Sequence, residues 1–158
     1  MTRLSRILMA TDFSNYSREA LDYALYLAKK LGADLYLLHV MPPIYHPAMS
    51  SRIGPEVLKQ IRSFEEEEHK KLVTLARNVS RKGMEVHPMF REGIPFREIL
   101  KAADEISADL IVLGTQGRTG LDRFMIGSVA ERVVRKSPCP VFVIRPKTRP
   151  IAKKIKAA

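Results

Sequence analysis

Short apolar runs alternate with longer segments of helical spacing along most of the chain. The apolar runs predict five buried strands, at residues 5–10, 34–40, 84–91, 109–113 and 139–144. The segments with apolar residues every three to four positions predict four helices, at residues 17–31, 55–82, 95–107 and 129–136. Strands that alternate with helices form a parallel sheet whose two faces are both covered. The predicted fold is therefore an α/β fold with a doubly wound, five-stranded parallel sheet.

Three polar features interrupt this pattern. Residues 41–54 are rich in proline and serine and predict a long loop, a kind of segment that is often functional or mobile. Residues 65–68 are four glutamates followed by two lysines, which predicts a solvated charged face without a site. His39 alternates with apolar neighbours in the second strand, which predicts a packed or capping histidine and not a metal ligand.

Composition places the chain among single-domain globular proteins. It has 158 residues, 46% of them hydrophobic, and no apolar run of the roughly 20 residues that span a bilayer. The N-terminus leads directly into a strand, so no signal peptide is expected. The single cysteine excludes an internal disulfide and fits a reducing compartment such as the cytoplasm. Residues 145–158 contain six basic and no acidic residues, so they carry most of the net charge of +10. We expect a domain at residues 1–146 and a flexible basic tail at 147–158.

A glycine-rich loop joins the fourth strand to the fourth helix. Gly114 and Gly117 are separated by two residues, and nine more precede the pair Gly127 and Ser128. Glycines allow a phosphate close to the backbone, and the free N–H groups of a helix start attract anions. The spacing is neither a Walker A loop nor Gly-x-Gly-x-x-Gly. The loop therefore indicates an anion site, although turn glycines and a capping box of Ser128 with Glu131 remain an alternative.

The Gly-x2-Gly-x9-Gly-Ser pattern resembles the ATP-binding branch of the universal stress protein family. The resemblance runs from Ile7 to Ile144, with landmarks at residues 7–14, 37–40, 93–95, 113–120, 126–131 and 137–141. It implies a Rossmann-like sheet of order 3-2-1-4-5, in which the first and fourth strands are neighbours at the point where the winding reverses. It also implies a homodimer formed through the fifth strand, at Val141–Ile144.

The resemblance further implies an ATP site and leaves open whether Mg²⁺ or Mn²⁺ accompanies the nucleotide. Ala10, Thr11 and Asp12 are expected on the nucleoside side, with Asp12 near the ribose or a metal. Val40 is expected to meet adenine through its backbone. The remaining implied contacts lie in the glycine loop and at the start of the fourth helix: Gly114, Gln116, Gly117, Arg118, Thr119, Gly120, Gly127, Ser128, Val129 and Ala130.

The residues themselves leave some of these roles open. Asp12 also fits a turn or helix-cap aspartate, and Val40 also fits a core position. Arg118 and Arg123 fit phosphate contacts or a solvated surface equally well. Gln116 stands where family members carry a histidine or another polar residue.

The expected function is a cytoplasmic, nucleotide-dependent sensor or regulator in the stress response. No catalytic residue is assigned, because the loop has no P-loop lysine and no Ser–His–Asp or Cys–His set is evident. ATP turnover is therefore expected to be slow or absent. The alternatives are a nucleotide-free interaction protein of the same fold, a nucleic-acid binder and a true enzyme. Nucleic acid is the less favoured partner because the basic tail has no aromatic residues to stack on bases.

Overall fold

Five parallel strands form one sheet in the part of the chain that the structure describes. The computed structural model describes residues 3–44, 47–80, 84–116 and 126–145. The strands are β1 (Arg6–Thr11), β2 (Asp34–Met41), β3 (Val86–Glu92), β4 (Leu110–Gly114) and β5 (Val141–Ile144). They lie in the order β3-β2-β1-β4-β5, and every pairing is parallel. The predicted fold class and strand order are confirmed.

Within the described residues, four α-helices connect these strands. They are α1 (Asn15–Leu31), α2 (Pro55–Ser80), α3 (Pro95–Glu105) and α4 (Ser128–Lys136). A short 3₁₀ helix, Pro47–Arg52, lies within the segment that was predicted to be loop throughout. That prediction is wrong for these six residues, because a proline with its fixed φ starts a helical turn easily.

Both faces of the sheet are buried, and side chains of β1 show how the core divides. Ile7 and Met9 pack in one cluster with Ala20 of α1 and Leu72 of α2. Leu8, which lies between them in sequence, packs in a second cluster with side chains of α3 and α4. Successive strand residues point to opposite faces, so a strand covered on both sides is apolar at every position. This burial explains the unbroken apolar runs of the sequence.

Several element ends differ from the predicted ones by a few residues. α3 ends at Glu105 rather than at Ser107, because Ser107 has a left-handed backbone with φ 49°. The N–H group of Ala108 bonds to the carbonyl of Ala103, which closes the helix. β3 begins at Val86, two residues later than predicted. The predicted end of α2 at residue 82 and the predicted tail at 147–158 lie outside the described residues.

β5 begins at Val141 rather than at Cys139 because the preceding residues form a turn. The hydroxyl of Ser137 accepts a hydrogen bond from the Cys139 N–H group (3.2 Å) and donates one to its carbonyl (2.6 Å). Pro140 then brings its carbonyl to the N–H group of Ile111 in β4, at 3.0 Å. Burial raises the pKa of the half-buried Cys139 thiol. A raised pKa disfavours the thiolate, which agrees with a structural rather than a nucleophilic cysteine.

Candidate functional site

A cleft of about 630 Å³ opens at the carboxyl ends of β1, β2 and β4. Its volume is typical of a small-molecule site. The chain leaves β1 towards one face of the sheet and β4 towards the other, so the cleft lies where the winding reverses. Ligands of doubly wound sheets bind at this position.

The cleft collects predicted site residues from three distant segments of the chain. Ten of the predicted contacts line it: Ala10, Thr11, Asp12, Val40, Gly114, Gln116, Gly127, Ser128, Val129 and Ala130. The other predicted contacts, Gly117, Arg118, Thr119 and Gly120, lie outside the described residues, as does Arg123. The fold therefore brings together every predicted site residue that the structure describes.

Asp12 occupies the tight turn between β1 and α1. Its Oδ1 accepts a hydrogen bond from the Ser14 N–H group at 3.0 Å. The Ser14 hydroxyl in turn accepts from the Ser17 N–H group at 3.2 Å and caps α1. Phe13, between them, has a left-handed backbone with φ 63°. The alternative of a turn aspartate is thus correct, and the same residue also lines the cleft.

Thr11 lines the cleft, but its hydroxyl and its carbonyl group are already hydrogen-bonded within the protein. Its hydroxyl lies 3.1 Å from the Ser17 hydroxyl and accepts from the Phe13 N–H group at 3.1 Å. Its carbonyl accepts a hydrogen bond from Nδ1 of His39 at 2.8 Å. Thr11 is therefore held in place by three neighbours.

Val40 is both a packed residue and a lining residue of the cleft. The β1–β2 pairing ends with Thr11 opposite His39, so the backbone of Val40 and Met41 continues past the end of β1. Both residues line the cleft at that point. The Val40 side chain is half-buried and packs against the core cluster on the α3 and α4 side of the sheet.

The helix that follows the glycine loop begins without a side-chain cap. Its N-cap is Gly127, and Ser128 is the first helical residue. The predicted capping box is therefore wrong: the Glu131 N–H group bonds to the Gly127 carbonyl at 3.0 Å, and its carboxylate pairs with Arg135 at 3.0 Å. A side-chain cap needs the serine one position earlier, outside the helix.

Three N–H groups precede the first intrahelical bond of α4. They belong to Ser128, Val129 and Ala130, all of which line the cleft. The N–H groups of a helix start lack partners within the helix and carry its positive dipole end. This part of the cleft is suited to an anionic group.

Two glycines allow the backbone to pack closely here. A Cβ atom on Gly127 would lie 2.9 Å from the Thr115 carbonyl oxygen, to which the Gly127 N–H group donates at 2.6 Å. A Cβ atom on Gly114 would lie 3.3 Å from the carbonyl oxygen of Tyr16. The Gly127 amide already donates to Thr115, so Gly127 contributes to the cleft through the close approach of its backbone and not through its N–H group.

An apolar wall borders the cleft beside Val40, and the sequence did not assign it. It is formed by the last residue of β2, the loop that follows and one side chain of α2: Met41, Pro42, Pro43, Ile44 and Phe64. Ile44 and Phe64 are 47% and 39% exposed, although both are large apolar side chains. Exposed apolar side chains around a cleft are typical of ligand sites. The prediction of a functional or mobile loop was the only signal for this wall.

Glu68 of α2 is buried next to the cleft, so the prediction of a solvated face is wrong at this residue. It is 2% exposed, and its Oε1 accepts a hydrogen bond from Nζ of Lys71 at 2.9 Å. Its Oε2 lies 3.2 Å from Nε2 of His39, which is itself 3% exposed. The His39 ring lies against Phe13 with their centroids 4.4 Å apart. The prediction of a packed histidine is confirmed.

The helical period contained the signal that would have found Glu68. It follows Ile61 by seven residues and precedes Leu72 by four, and both of these side chains are buried. Such spacing places all three on one face of a helix. The run of four glutamates indicates a charged, solvated face, and this pattern obscures the helical period of the apolar residues around it.

No group of three His, Cys, Asp or Glu side chains lies close enough to hold a metal ion in the described ranges. Among the helices of those ranges, none is long and apolar enough to cross a membrane.

Comparison with known proteins agrees with this architecture. The model of the universal stress protein family matches residues 4–145. Universal stress protein MJ0531 of Methanocaldococcus jannaschii is 38% identical over 144 residues, which cover 89% of this chain and 81% of that protein. The structure of universal stress protein UspA from Lactobacillus plantarum has a TM-score of 0.78 at 26% identity, covering 92% of this chain and all of that one. A universal stress protein from Archaeoglobus fulgidus, solved in complex with dAMP, has a TM-score of 0.61 at 25% identity and covers 90% and 99% of the two chains.

Proposed function

This chain belongs to the universal stress protein family, and we propose that it binds ATP in the cleft at the carboxyl ends of β1 and β4. The binding would make it a cytoplasmic, nucleotide-dependent sensor or regulator in the stress response. The observation that carries the proposal is the uncapped start of α4, where three N–H groups and the Ser128 hydroxyl border a cleft. Such a helix start favours a phosphate group.

The two ends of the cleft suit the two ends of a nucleotide. Adenine would lie beside the Val40 backbone and against the apolar wall that includes Ile44 and Phe64. The ribose would lie near Asp12, and the phosphates near Ser128. The glycine-loop residues 117–120 belong to the same proposal as phosphate contacts, with Mg²⁺ or Mn²⁺ as an open component. The dAMP complex of the Archaeoglobus fulgidus relative supports an adenine nucleotide as the class of ligand.

Binding with slow or no turnover is the activity that this chemistry favours. Fast phosphoryl transfer needs a positioned nucleophile, charge stabilisation at the γ-phosphate and usually a held Mg²⁺. Besides the buried His39–Glu68 contact, the described cleft offers backbone amides, the Ser128 hydroxyl and the Asp12 carboxylate. These groups suit recognition of a nucleotide better than its hydrolysis.

We also propose a homodimer formed through β5. The sheet has two edges, β3 and β5. β3 contains Pro88, which cannot donate to a further strand and so discourages pairing. β5 (Val141–Ile144) has no proline and exposes 40% of Phe142. A two-fold pairing of β5 is the simplest closed arrangement, and light scattering at tens of micromolar should give the mass of a dimer.

The function is tested by calorimetry with ATP, ADP, AMP and dAMP on the purified full-length protein, after removal of any co-purified nucleotide. We expect saturable 1:1 binding per chain, and mass spectrometry of the removed small molecules should find an adenine nucleotide. Phosphate release in the same samples should stay far below the 1–10 s⁻¹ or so of an ordinary enzyme. Absence of binding to all four nucleotides would favour the nucleotide-free interaction protein. Turnover at the ordinary enzyme level would refute a purely binding role.

A further inference from the structure

We propose that His39 and Glu68 form a buried imidazolium–carboxylate pair that holds the Thr11–Asp12 turn in the conformation needed by the nucleotide. Both side chains line the cleft, yet each is at least 97% buried. The ligand in this statement rests on the proposed function. The proton arrangement of the pair does not, so the two can fail separately.

The first step is the position of the proton on Nδ1 of His39. This atom lies 2.8 Å from the backbone carbonyl oxygen of Thr11. A carbonyl only accepts hydrogen bonds, so the ring nitrogen must be the donor. Nδ1 therefore carries a hydrogen in every protonation state that keeps this contact.

The second step is the proton between His39 and Glu68. Nε2 of the ring lies 3.2 Å from Oε2 of the carboxyl group. Without a hydrogen on either atom, two acceptor atoms would lie in contact in the protein interior, which is unfavourable. One proton must therefore lie on Nε2 or on Oε2.

The third step assigns this proton to the ring. The other carboxyl oxygen, Oε1, accepts from the ammonium group of Lys71 at 2.9 Å, and this positive charge favours an ionised carboxylate. With Glu68 ionised, the shared proton resides on Nε2 and His39 is an imidazolium. A buried ion pair is stable when both ions have good partners, and here each has at least two among the described residues.

The remaining charged groups near the pair do not reverse this assignment. Asp12 lines the same cleft, and as an anion it would favour the imidazolium further. Arg91 of β3, opposite Val40, is engaged by Glu98 and Glu105 on the α3 side. His69 of α2 meets the Phe90 ring edge-on at 5.3 Å, and Phe90 lies between it and His39.

The pair connects three elements at the base of the cleft. His39 belongs to β2, its carbonyl partner Thr11 ends β1, and Glu68 belongs to α2. The ring also lies against Phe13, the left-handed residue of the β1–α1 turn, at 4.4 Å. Loss of the charge on His39 would weaken the contact with Glu68 and free the ring to move. Asp12, the next residue after Thr11, would then be less well placed for a ribose, so the two side chains are positioning residues.

The proton arrangement is tested by ¹⁵N NMR of the histidine side chains in the ligand-free protein at pH 7.5. An ordinary histidine is mostly neutral at this pH, because its pKa is about 6.5. We expect one ring with both nitrogens protonated, assigned to His39 by its disappearance in His39→Gln or by through-bond correlation to the backbone. In Glu68→Gln, this ring should become neutral and keep its hydrogen on Nδ1. A neutral His39 ring in the wild-type protein would overturn the proposal.

The positioning role is tested by calorimetry on Glu68→Gln, with Glu67→Gln as the control. Glu67 is the exposed neighbour of Glu68, so both variants lose one negative charge from the same turn of α2. We expect ATP affinity to fall about tenfold in Glu68→Gln, which is the scale of one lost hydrogen bond to a charged group. The affinity of the Glu67→Gln variant should stay within about twofold of the wild type.

The two experiments separate the possible failures. If the wild type shows an imidazolium but binds no nucleotide, the proposed function fails and the ion pair stands. If Glu68→Gln is folded, has a neutral His39 ring and binds ATP as well as the wild type does, the positioning role is wrong. If Glu68→Gln is unfolded, the affinity of Lys71→Met decides, because this exposed lysine is the group that keeps Glu68 ionised. Unchanged affinity and an unchanged His39 signature in Lys71→Met would then refute the proposed chain of contacts.

Discussion

Two helices begin at the edge of the same cleft, and they begin in opposite ways. α1 starts after Ser14, whose hydroxyl accepts from the Ser17 N–H group, and Asp12 accepts from the Ser14 N–H group. α4 starts after Gly127, which has no side chain to accept anything. At the start of α1 a protein side chain thus accepts from one of the first N–H groups, whereas within the described residues no side chain does so at the start of α4.

The difference shows how two helices at the same edge of a sheet can have different roles, one as a fixed side of the cleft and one as its binding end. A capped helix start is fixed at its own place and contributes to stability. An uncapped start gives up that stabilisation but retains an anion site. We infer that the start of α1 forms a rigid side of the cleft and that the start of α4 forms the end that binds phosphate.

The largest effect is expected from filling the space that Gly127 leaves empty. Its Cβ atom in a Gly127→Ala variant would lie 2.9 Å from the Thr115 carbonyl, a backbone atom that cannot move without shifting the loop. We expect a loss of about 1–3 kcal/mol in the free energy of unfolding. ATP affinity should fall more than tenfold, as measured by calorimetry, because the start of α4 is displaced.

Gly54→Ala is the matched control for this change. Gly54 also directly precedes a helix, α2, but its added Cβ atom would meet nothing within 4 Å. Both substitutions carry the same intrinsic cost at a helix start, so the difference between them reports the close contact. Equal losses of ATP affinity in the two variants would contradict the assigned role of Gly127.

The next effect is expected at the capped helix. Ser14→Ala removes the acceptor of the Ser17 N–H group. The free energy of unfolding should fall by about 1 kcal/mol, within the usual range for a lost N-cap. Denaturant unfolding measures this loss. ATP affinity should change less than in Gly127→Ala, and a stability equal to that of the wild type would show that the cap is unimportant.

The start of α1 follows from local sequence rules, whereas the start of α4 does not. The N-cap role of Ser14 follows a local rule, because capping side chains interact with N–H groups two or three positions away. Ser128 fits the same local rule, with Glu131 three residues later, yet it lies inside the helix. Its position depends on the bond between Gly127 and Thr115, which spans a loop of eleven residues and leaves no local pattern. The helical period indicates that Glu68 is buried, but its contact with His39 leaves no local pattern, because it joins α2 to β2.

A smaller effect on stability, with a clear effect on binding, is expected at the uncapped helix. Ser128 caps nothing in the described structure, so Ser128→Ala should change the free energy of unfolding by no more than about 0.5 kcal/mol. ATP affinity should nevertheless fall about fivefold to tenfold through loss of one hydrogen bond from the hydroxyl. Calorimetry and denaturant unfolding on the same sample separate the two effects. A Ser128→Ala variant that loses as much stability as Ser14→Ala would restore the capping box.

The smallest effect concerns a third set of N–H groups, at the opposite end of the sheet. Oδ2 of Asp109 accepts from the N–H groups of Ser5 (2.7 Å) and Arg6 (2.9 Å). These two hydrogen bonds lower the pKa of the Asp109 carboxyl. A carboxyl whose pKa is lowered in the folded state stabilises the fold above its unfolded pKa of about 3.9. That contribution is lost as the pH falls through this value towards the lower folded pKa.

Asp109 is partly exposed, so solvent screening should keep its contribution below about 1 kcal/mol. We expect Asp109→Asn to remove this part of the acid sensitivity, because an amide keeps an accepting oxygen but does not titrate. Urea unfolding of both proteins between about pH 3 and 7 should show curves that lie apart at neutral pH and converge in acid. Asp104→Asn, at an exposed position of α3, is the control and should run parallel to the wild type. ATP affinity should not change in either variant, because Asp109 satisfies its donors at the end of the sheet remote from the cleft. A fall in ATP affinity in Asp109→Asn alone would mean that the N–H groups bound by Asp109 are coupled through the sheet to those at the start of α4. The distinct roles assigned to the starts of α1 and α4 would then be wrong.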